Sequence, residues 1–415
     1  MKWWSLGIAV ALGAALAPAQ IYQSDLPADH PAIRYLQNPV NDPASHLINK
    51  IDSGAVKLNL RPDDLGFLPS ILEHLGIKQD SQALVFSKTS FQAIKISPRN
   101  PRAIYFGDDV AVGWVRGGSG IEIASLDPQQ GVVFYTLTEK AGQPVFARGE
   151  VCLKCHRGAA TEGVPGMFVG SVFPSASGEP HREGAIITDH RTKFEDRWGG
   201  WYVNAKSGEQ SDRANSVASD PAEPDTLDNE GKQNLTSLAE FFNPGGYLTP
   251  ISDIVALMTF EHQTQMQNMF TRLGWVMRMN EHDGKTDETA LRLEIDGVVA
   301  YMLFADEVPL KEPMQGVSTF TKTFPQRGPR DRQGRSLRDF DLQTRLFRYP
   351  LSYVIYSAQF DQLPAAARER IYRRLYEVLS GKDERPQFAR LTAADRRAIL
   401  EILSQTKNDL PEYFR

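Results

Sequence analysis

The feature that most restricts this chain is where it keeps its cysteines. Among 415 residues there are only two, three positions apart, within Cys152-Leu153-Lys154-Cys155-His156. The opening residues read as an export signal. Lys2 gives a positive start, Trp3 to Leu16 is an uncharged apolar run, and Ala17-Pro18-Ala19 has the small-x-small pattern of a signal-peptidase site. Residues 1–19 are therefore expected to form a signal peptide, cleaved before Gln20. A membrane span needs about 20 apolar residues, and this run is shorter. An exported protein is free to form stabilising disulfides, yet this chain spends both cysteines on one local purpose.

Three chemistries use Cys-x-x-Cys. A thiol–disulfide redox pair belongs in a strand–helix context near a chain start, whereas this motif follows a long β-rich region and carries a histidine. A zinc site needs about four ligands, and the sequence has no second cysteine pair. Cys-x-x-Cys-His is the attachment signature of c-type haem. Two thiols three residues apart sit about one helical turn from each other on one face. Each sulfur can then add to one of the two vinyl groups on neighbouring edges of the porphyrin, while the adjacent imidazole projects toward the iron. The expectation is one covalently attached haem c, bound by Cys152 and Cys155, with His156 as an iron ligand.

In electron carriers a second His or a Met commonly completes the iron's coordination and helps set its potential. His262 leads here, as a metal ligand on the apolar stripe of a long helix, one turn after Met258 and one before Met266. A lone His on such a face is more often a core residue, but a haem must be buried somewhere and this helix is an obvious wall. His190, in Thr188-Asp189-His190-Arg191, comes next, then Met266 or Met269. Met167 ranks low because Gly163-Val164-Pro165-Gly166 reads as a turn. An open or water-bound position is the remaining choice.

The fold class expected is α+β, with a β-rich N-terminal region over 20–145 and a mostly helical, cytochrome c-like haem-binding region over 146–415. The runs 83–87, 103–106, 110–115, 121–126 and 132–137 are rich in β-formers. Gly107-Asp108-Asp109, Gly117 to Gly120 and Asp127 to Gly131 separate them, which predicts an antiparallel meander of five or six strands. Residues 207–232 are polar and acidic and read as a flexible loop. Apolar spacing predicts a long amphipathic helix from Ile251 to Met277, and further helices over 365–380 and 392–406. Gly381 would stop the first of these two, and Thr392 with Asp395 would cap the second. A net charge of −5 argues against a dedicated nucleic-acid binder. No later stretch is apolar enough to span a bilayer, so no membrane span is expected after signal cleavage. Arg327, Arg330, Arg332, Arg335, Arg338, Arg345 and Arg348 read mainly as a solvated face balanced by Asp331, Asp339 and Asp341. Trp198, Trp201 and Tyr202 read mainly as packing beside Gly199 and Gly200.

The run from Cys152 through Gly163-Val164-Pro165-Gly166, then Thr188-Asp189-His190-Arg191 and Arg197-Trp198-Gly199-Gly200-Trp201-Tyr202-Val203, resembles a group of bacterial exported proteins with a single Cys-x-x-Cys-His cytochrome c motif. The resemblance extends through Tyr349-Pro350-Leu351-Ser352-Tyr353 and covers most of the mature chain. In that group a His often follows the Gly-Gly-Trp-Tyr-Val run, whereas this chain has Asn204-Ala205-Lys206-Ser207-Gly208. The function these readings imply is one-electron transfer with an unknown redox partner, in the periplasm or an equivalent exported space. A peroxidase-like haem oxidoreductase with an open distal site, or a haem-based sensor or subunit of a redox complex, is the alternative.

Overall fold

The structure, a computed structural model, describes residues 25–414. The signal-peptide reading of residues 1–19 lies outside these. Two helices, α1 (Pro43–Asp52) and α2 (Leu68–His74), precede a run of six strands: β1 (Ala83–Val85), β2 (Arg102–Phe106), β3 (Val110–Trp114), β4 (Ile121–Asp127), β5 (Gly131–Lys140) and β6 (Gln143–Arg148). They pair antiparallel in chain order, as the spacing of β-formers and turn residues predicts. A short turn of helix, α3 (Leu153–His156), follows. Then come β7 (Val169–Ser171), β8 (Ile186–Thr188), β9 (Trp201–Tyr202), β10 (Val217–Ala218) and β11 (Leu227–Asp228). The strand β9 adds to β1 as the seventh strand of the main sheet.

Side chains alternate across a strand, and the sheet uses both faces. Leu84, Tyr105, Val112, Ile123 and Tyr135 pack on α1, α2 and the segment around Phe242 and Tyr247. Their neighbours Val85, Phe106, Ala111 and Phe134 join the larger core built around α4 (Ile254–Asp283). That core continues through α5 (Glu288–Met302), α6 (Phe320–Thr323), α7 (Ala358–Asp361), α8 (Ala365–Leu379) and α9 (Ala393–Thr406). The molecule is thus mixed α+β, with one apolar core shared by the sheet and the helices. Gly381 follows α8 in the left-handed region, and Thr392 and Asp395 form a reciprocal capping box on α9, both as expected.

The expectation for the long helix needs revision. The long helix begins at Ile254 rather than Ile251, because the Asp253 carboxylate accepts hydrogen bonds from the Val255 and Ala256 amides and fixes the cap. It also has no exposed polar face over its first six turns. From Ile254 to Trp275 only Met269 and Arg272 escape full burial, because the sheet lies on one side and the later helices and loops on the others. Its polar side chains stitch these layers together. Gln263 donates to the carbonyls of Gly107 and Asp108, Gln267 donates to Asp108, and Tyr353 donates to Gln263. In the 207–232 segment, Ser207, Asp212, Asn215 and Ser216 are buried. The Asn215 side chain accepts from the Val203 amide and donates to the Val203 carbonyl, so this half of the loop is anchored to β9's continuation.

Candidate functional site: the Cys152–His156 turn

The strand β6 delivers the chain to Gly149, whose amide donates to the Phe134 carbonyl of β5 at 2.7 Å. A tight turn then carries Cys152 into α3. A Cβ on Gly149 would stand 3.1 Å from Cys152 Sγ, so glycine lets this thiol lie against the chain. Cys152 is half-buried, Cys155 is exposed, and both are free thiols. Burial raises the Cys152 thiol pKa above its ordinary value.

His156 is held from three sides. Its ring lies 5.0 Å from the Phe134 ring and 5.3 Å from the Phe168 ring. Its Nδ1 donates to the Gly166 carbonyl at 3.0 Å, so the neutral ring presents Nε2 as its acceptor. Part of the residue reaches solvent, but packing of the ring is dense enough that burial pushes its pKa down to about 4, which keeps it neutral.

The Gly158–Gly166 loop that supplies this carbonyl is itself fixed. Its Pro165 carbonyl accepts from Val132 of β5, and its Gly166 amide donates to the His156 carbonyl. Asn268 of α4 donates to the Met167 carbonyl at 2.7 Å. Gly131 is needed at the neighbouring β4–β5 turn, where φ is +88° and a Cβ would fall 2.7 Å from both Pro165 O and Thr271. Sheet, loop and central helix therefore meet at the histidine.

The structure does not bring His262 to His156. Their side chains share no hydrogen-bond or ring-stacking partner among the described residues. His262 Nδ1 lies 3.0 Å from His190 Nδ1, and His262 Nε2 lies 2.8 Å from Ser352 Oγ. Tyr301 and Phe304 stack on this pair, with ring centroids 5.1 and 4.2 Å from His262. Phe304 takes a left-handed backbone (φ +54°), uncommon for an aromatic residue, as it turns from the end of α5. Burial drives the pKa of both histidines well down. Met266 is buried in the main core, and Met167 is also buried in it, beside the Gly166 turn.

Sequence reasoning missed the charged cluster beside these histidines. Arg197 and Glu261 are both fully buried and pair at 3.4 Å, while Glu261 also accepts from Thr188 and Trp198. Burial pushes the carboxyls of Glu261, Asp212 and Glu307 up to about 7. The available signal was a Glu-His pair inside an apolar helical run. The expected balance by Asp331 and Asp339 is present as Arg335–Asp331 and Arg330–Asp339 pairs, but part of the arginine face is internal and pairs elsewhere: Arg338 and Arg327 with Asp108, Arg335 also with Glu401, Arg345 with Asp395. The tryptophans are core residues: Trp198 and Trp201 donate to Glu261 and to the Gly170 carbonyl.

One more trio, His30, His282 and Asp283, places potential ligand atoms within 4.8 Å of one another. The Ala32 amide donates to His30 Nδ1, so Nε2 carries that ring's proton toward Asp283, 3.3 Å away. This is a hydrogen-bonded clamp between the N-terminal segment and the end of α4. Two clefts, about 820 Å³ between α5 and α8 and about 330 Å³ beside α9, include no residue of the Cys152–His156 turn. No protein-family model matches the chain, and neither a curated protein nor a solved structure shows significant similarity to it.

Proposed function

We propose that the chain is an exported c-type cytochrome of the single-motif kind it resembles, carrying one haem and passing one electron at a time to a redox partner. The observation that carries the reading is the state of His156. Its Nδ1 is committed to the Gly166 carbonyl, which fixes the tautomer and leaves Nε2 free, the arrangement a metal-bound imidazole needs. The donor set fits: two free thiols one helical turn apart, one of them exposed, and a neutral imidazole next in sequence. When bound, haem c supplies an iron that holds or releases a single electron.

The chain's own residues account for the rest. Cys152 and Cys155 would anchor the ring, and His156 would ligate the iron. Phe134 and Phe168 hold the imidazole plane, while the Gly166 carbonyl raises its basicity. Export is supported by the apolar leader of the sequence and by cysteine use confined to one motif. Among the described residues, no helix is long and apolar enough to cross a membrane.

One observation favours the haem-enzyme reading as second. His262 has both ring nitrogens in hydrogen bonds, and His190 is buried beside it with Nδ1 against His262 and Nε2 unpartnered among the described residues, so the leading distal candidate is committed elsewhere. The test is an oxidised and reduced absorption spectrum of protein exported from a host with haem-attachment machinery, followed by alkaline pyridine denaturation. One covalent low-spin haem, lost in Cys152→Ala/Cys155→Ala, is the expected result. A high-spin spectrum that shifts with peroxide or carbon monoxide selects the enzyme. Absence of covalent haem, or full occupancy in the double variant, overturns the proposal.

A further inference from the structure

On its α4 side the main sheet is only partly covered. The cross-strand row nearest the helix, Phe106, Ala111, Ala124 and Phe134, joins or packs against the main core. The next row is Ile104, Gly113, Glu122, Thr136 and Ala147. Apart from Gly113 it is half-buried or exposed. The Cys152–His156 turn leaves the sheet on this same face, since His156 packs on Phe134. An open, weakly polar sheet face therefore lies beside the two thiols.

Nine large hydrophobic side chains are exposed among the described residues, and four of them, Phe91, Ile94, Val145 and Val151, lie close in sequence to Gln92, β6 or Cys152. Phe91 (61% exposed) and Ile94 (95%) flank Gln92, whose side chain donates to Glu122. Val145 shares a face of β6 with Ala147, and Val151 precedes Cys152.

Within the area sits one ion pair, Arg102–Glu122, at 2.5 Å. Arg102 lies flat over Gly113, where a Cβ would fall 2.6 Å from its guanidinium. Ser90 and Gln92 also donate to Glu122, while Arg102 Nε has no partner. Glu122 pairs across the sheet with Thr136, two residues along β5 from Phe134, on which His156 packs.

We propose that this open sheet face is the seat of the haem, with the Arg102–Glu122 pair as the charged group that sets the iron's potential. This rests on the cytochrome reading and goes further, since it makes a β-sheet, rather than a helical pocket, one wall of the site. Arg102 and Glu122 are positioning residues. They balance each other, so removing either leaves one net charge near the iron. Loss of Arg102 leaves a negative charge, which favours Fe(III). Loss of Glu122 leaves a positive charge, which favours Fe(II).

The experiment is a mediated redox titration of the full haem-loaded chain as wild type, Arg102→Gln and Glu122→Gln. The ion pair Arg370–Glu288, far along α8 and α5, serves as control through Arg370→Gln. Both test side chains are partly exposed, so the variants should fold, and circular dichroism in the Soret band reports the haem's surroundings independently. The expected result is a lower midpoint for Arg102→Gln and a higher one for Glu122→Gln. Each should change the oxidised-to-reduced ratio at fixed potential by roughly tenfold, with no change in the control. Unchanged midpoints and Soret signals, or shifts of one sign, at full covalent occupancy would overturn the seat and leave the cytochrome reading intact. A wild type without covalent haem would overturn both.

Discussion

The molecule contains two histidine environments that differ in almost every physical respect. His156 stands at a surface turn with one ring nitrogen anchored and the other uncommitted, between two phenylalanines. His190 and His262 face each other in the core beneath Tyr301 and Phe304, beside a buried Arg197–Glu261 pair. Both environments hold histidine neutral by burial. Only the first leaves a nitrogen beside exposed chemistry. A histidine on an apolar helical stripe can thus serve the core through hydrogen bonds at both of its ring nitrogens.

The sharpest way to break this comparison is to remove each imidazole in turn. His262→Ala leaves a cavity under Phe304 and strips partners from His190 and Ser352. It should cost about 3–5 kcal/mol of stability in a denaturant titration while the iron spectrum of the folded fraction stays unchanged. If the chain carries the proposed haem, His156→Ala should retain thioether-bound haem but change the iron's absorption. An altered iron spectrum in folded His262→Ala would show that His262 is a ligand after all.

The second prediction concerns the charge beside the sealed pair. Burial raises Glu261 from an ordinary 4.5 to about 7, so the native protein keeps a proton that the unfolded chain releases. The group's contribution is fully present below about pH 4.5 and is lost as pH rises through 7. Glu261→Gln imitates the protonated form and cannot ionise. It should match wild type near pH 4 and exceed it by up to roughly 3 kcal/mol at pH 8, read as melting temperature against pH. Equal or greater wild-type stability at pH 8 would mean that the ionised Arg197–Glu261 pair is net stabilising, and the core cluster would resemble an ordinary ion pair.

Much of the sheet was legible because β-rich runs and their turn residues are adjacent in sequence, and β1 to β5 pair in that order. The closeness of Cys152, Cys155 and His156 was legible for the same reason, the turn's residues being contiguous. The seventh strand, Trp201–Tyr202, was not, since two residues carry no period and their partner lies more than a hundred positions away. The central helix was misread because apolar periodicity reports one buried face. Gln263, Gln267 and Asn268 look like solvent residues until the loops that accept their hydrogen bonds are placed. The partners of His262, contributed by His190 and Ser352, are equally remote in sequence.

The two environments are nevertheless joined by one element, and the smallest effect tests that joint. Six residues after His262, about 9 Å along the helix axis, Asn268 donates to the Met167 carbonyl. Its Oδ1 fills the space that a Cβ on Gly166 would occupy, at 2.0 Å. Gly166 in turn supplies the carbonyl that holds His156. A core helix kept rigid by its sealed polar residues thereby fixes the orientation of a surface imidazole. Asn268→Ala removes one buried hydrogen bond and should cost about 1–2 kcal/mol. If the joint is real and the chain carries the proposed haem, the variant should also lose its His156–iron signature at a higher pH than wild type during acid titration, because an imidazole held less firmly by the Gly166 carbonyl is a weaker, less well oriented ligand and leaves the iron more readily. The same stability loss with an unmoved acid transition would show that the loop is held by Val132 and the sheet alone, and that the core histidines and the surface histidine are mechanically independent.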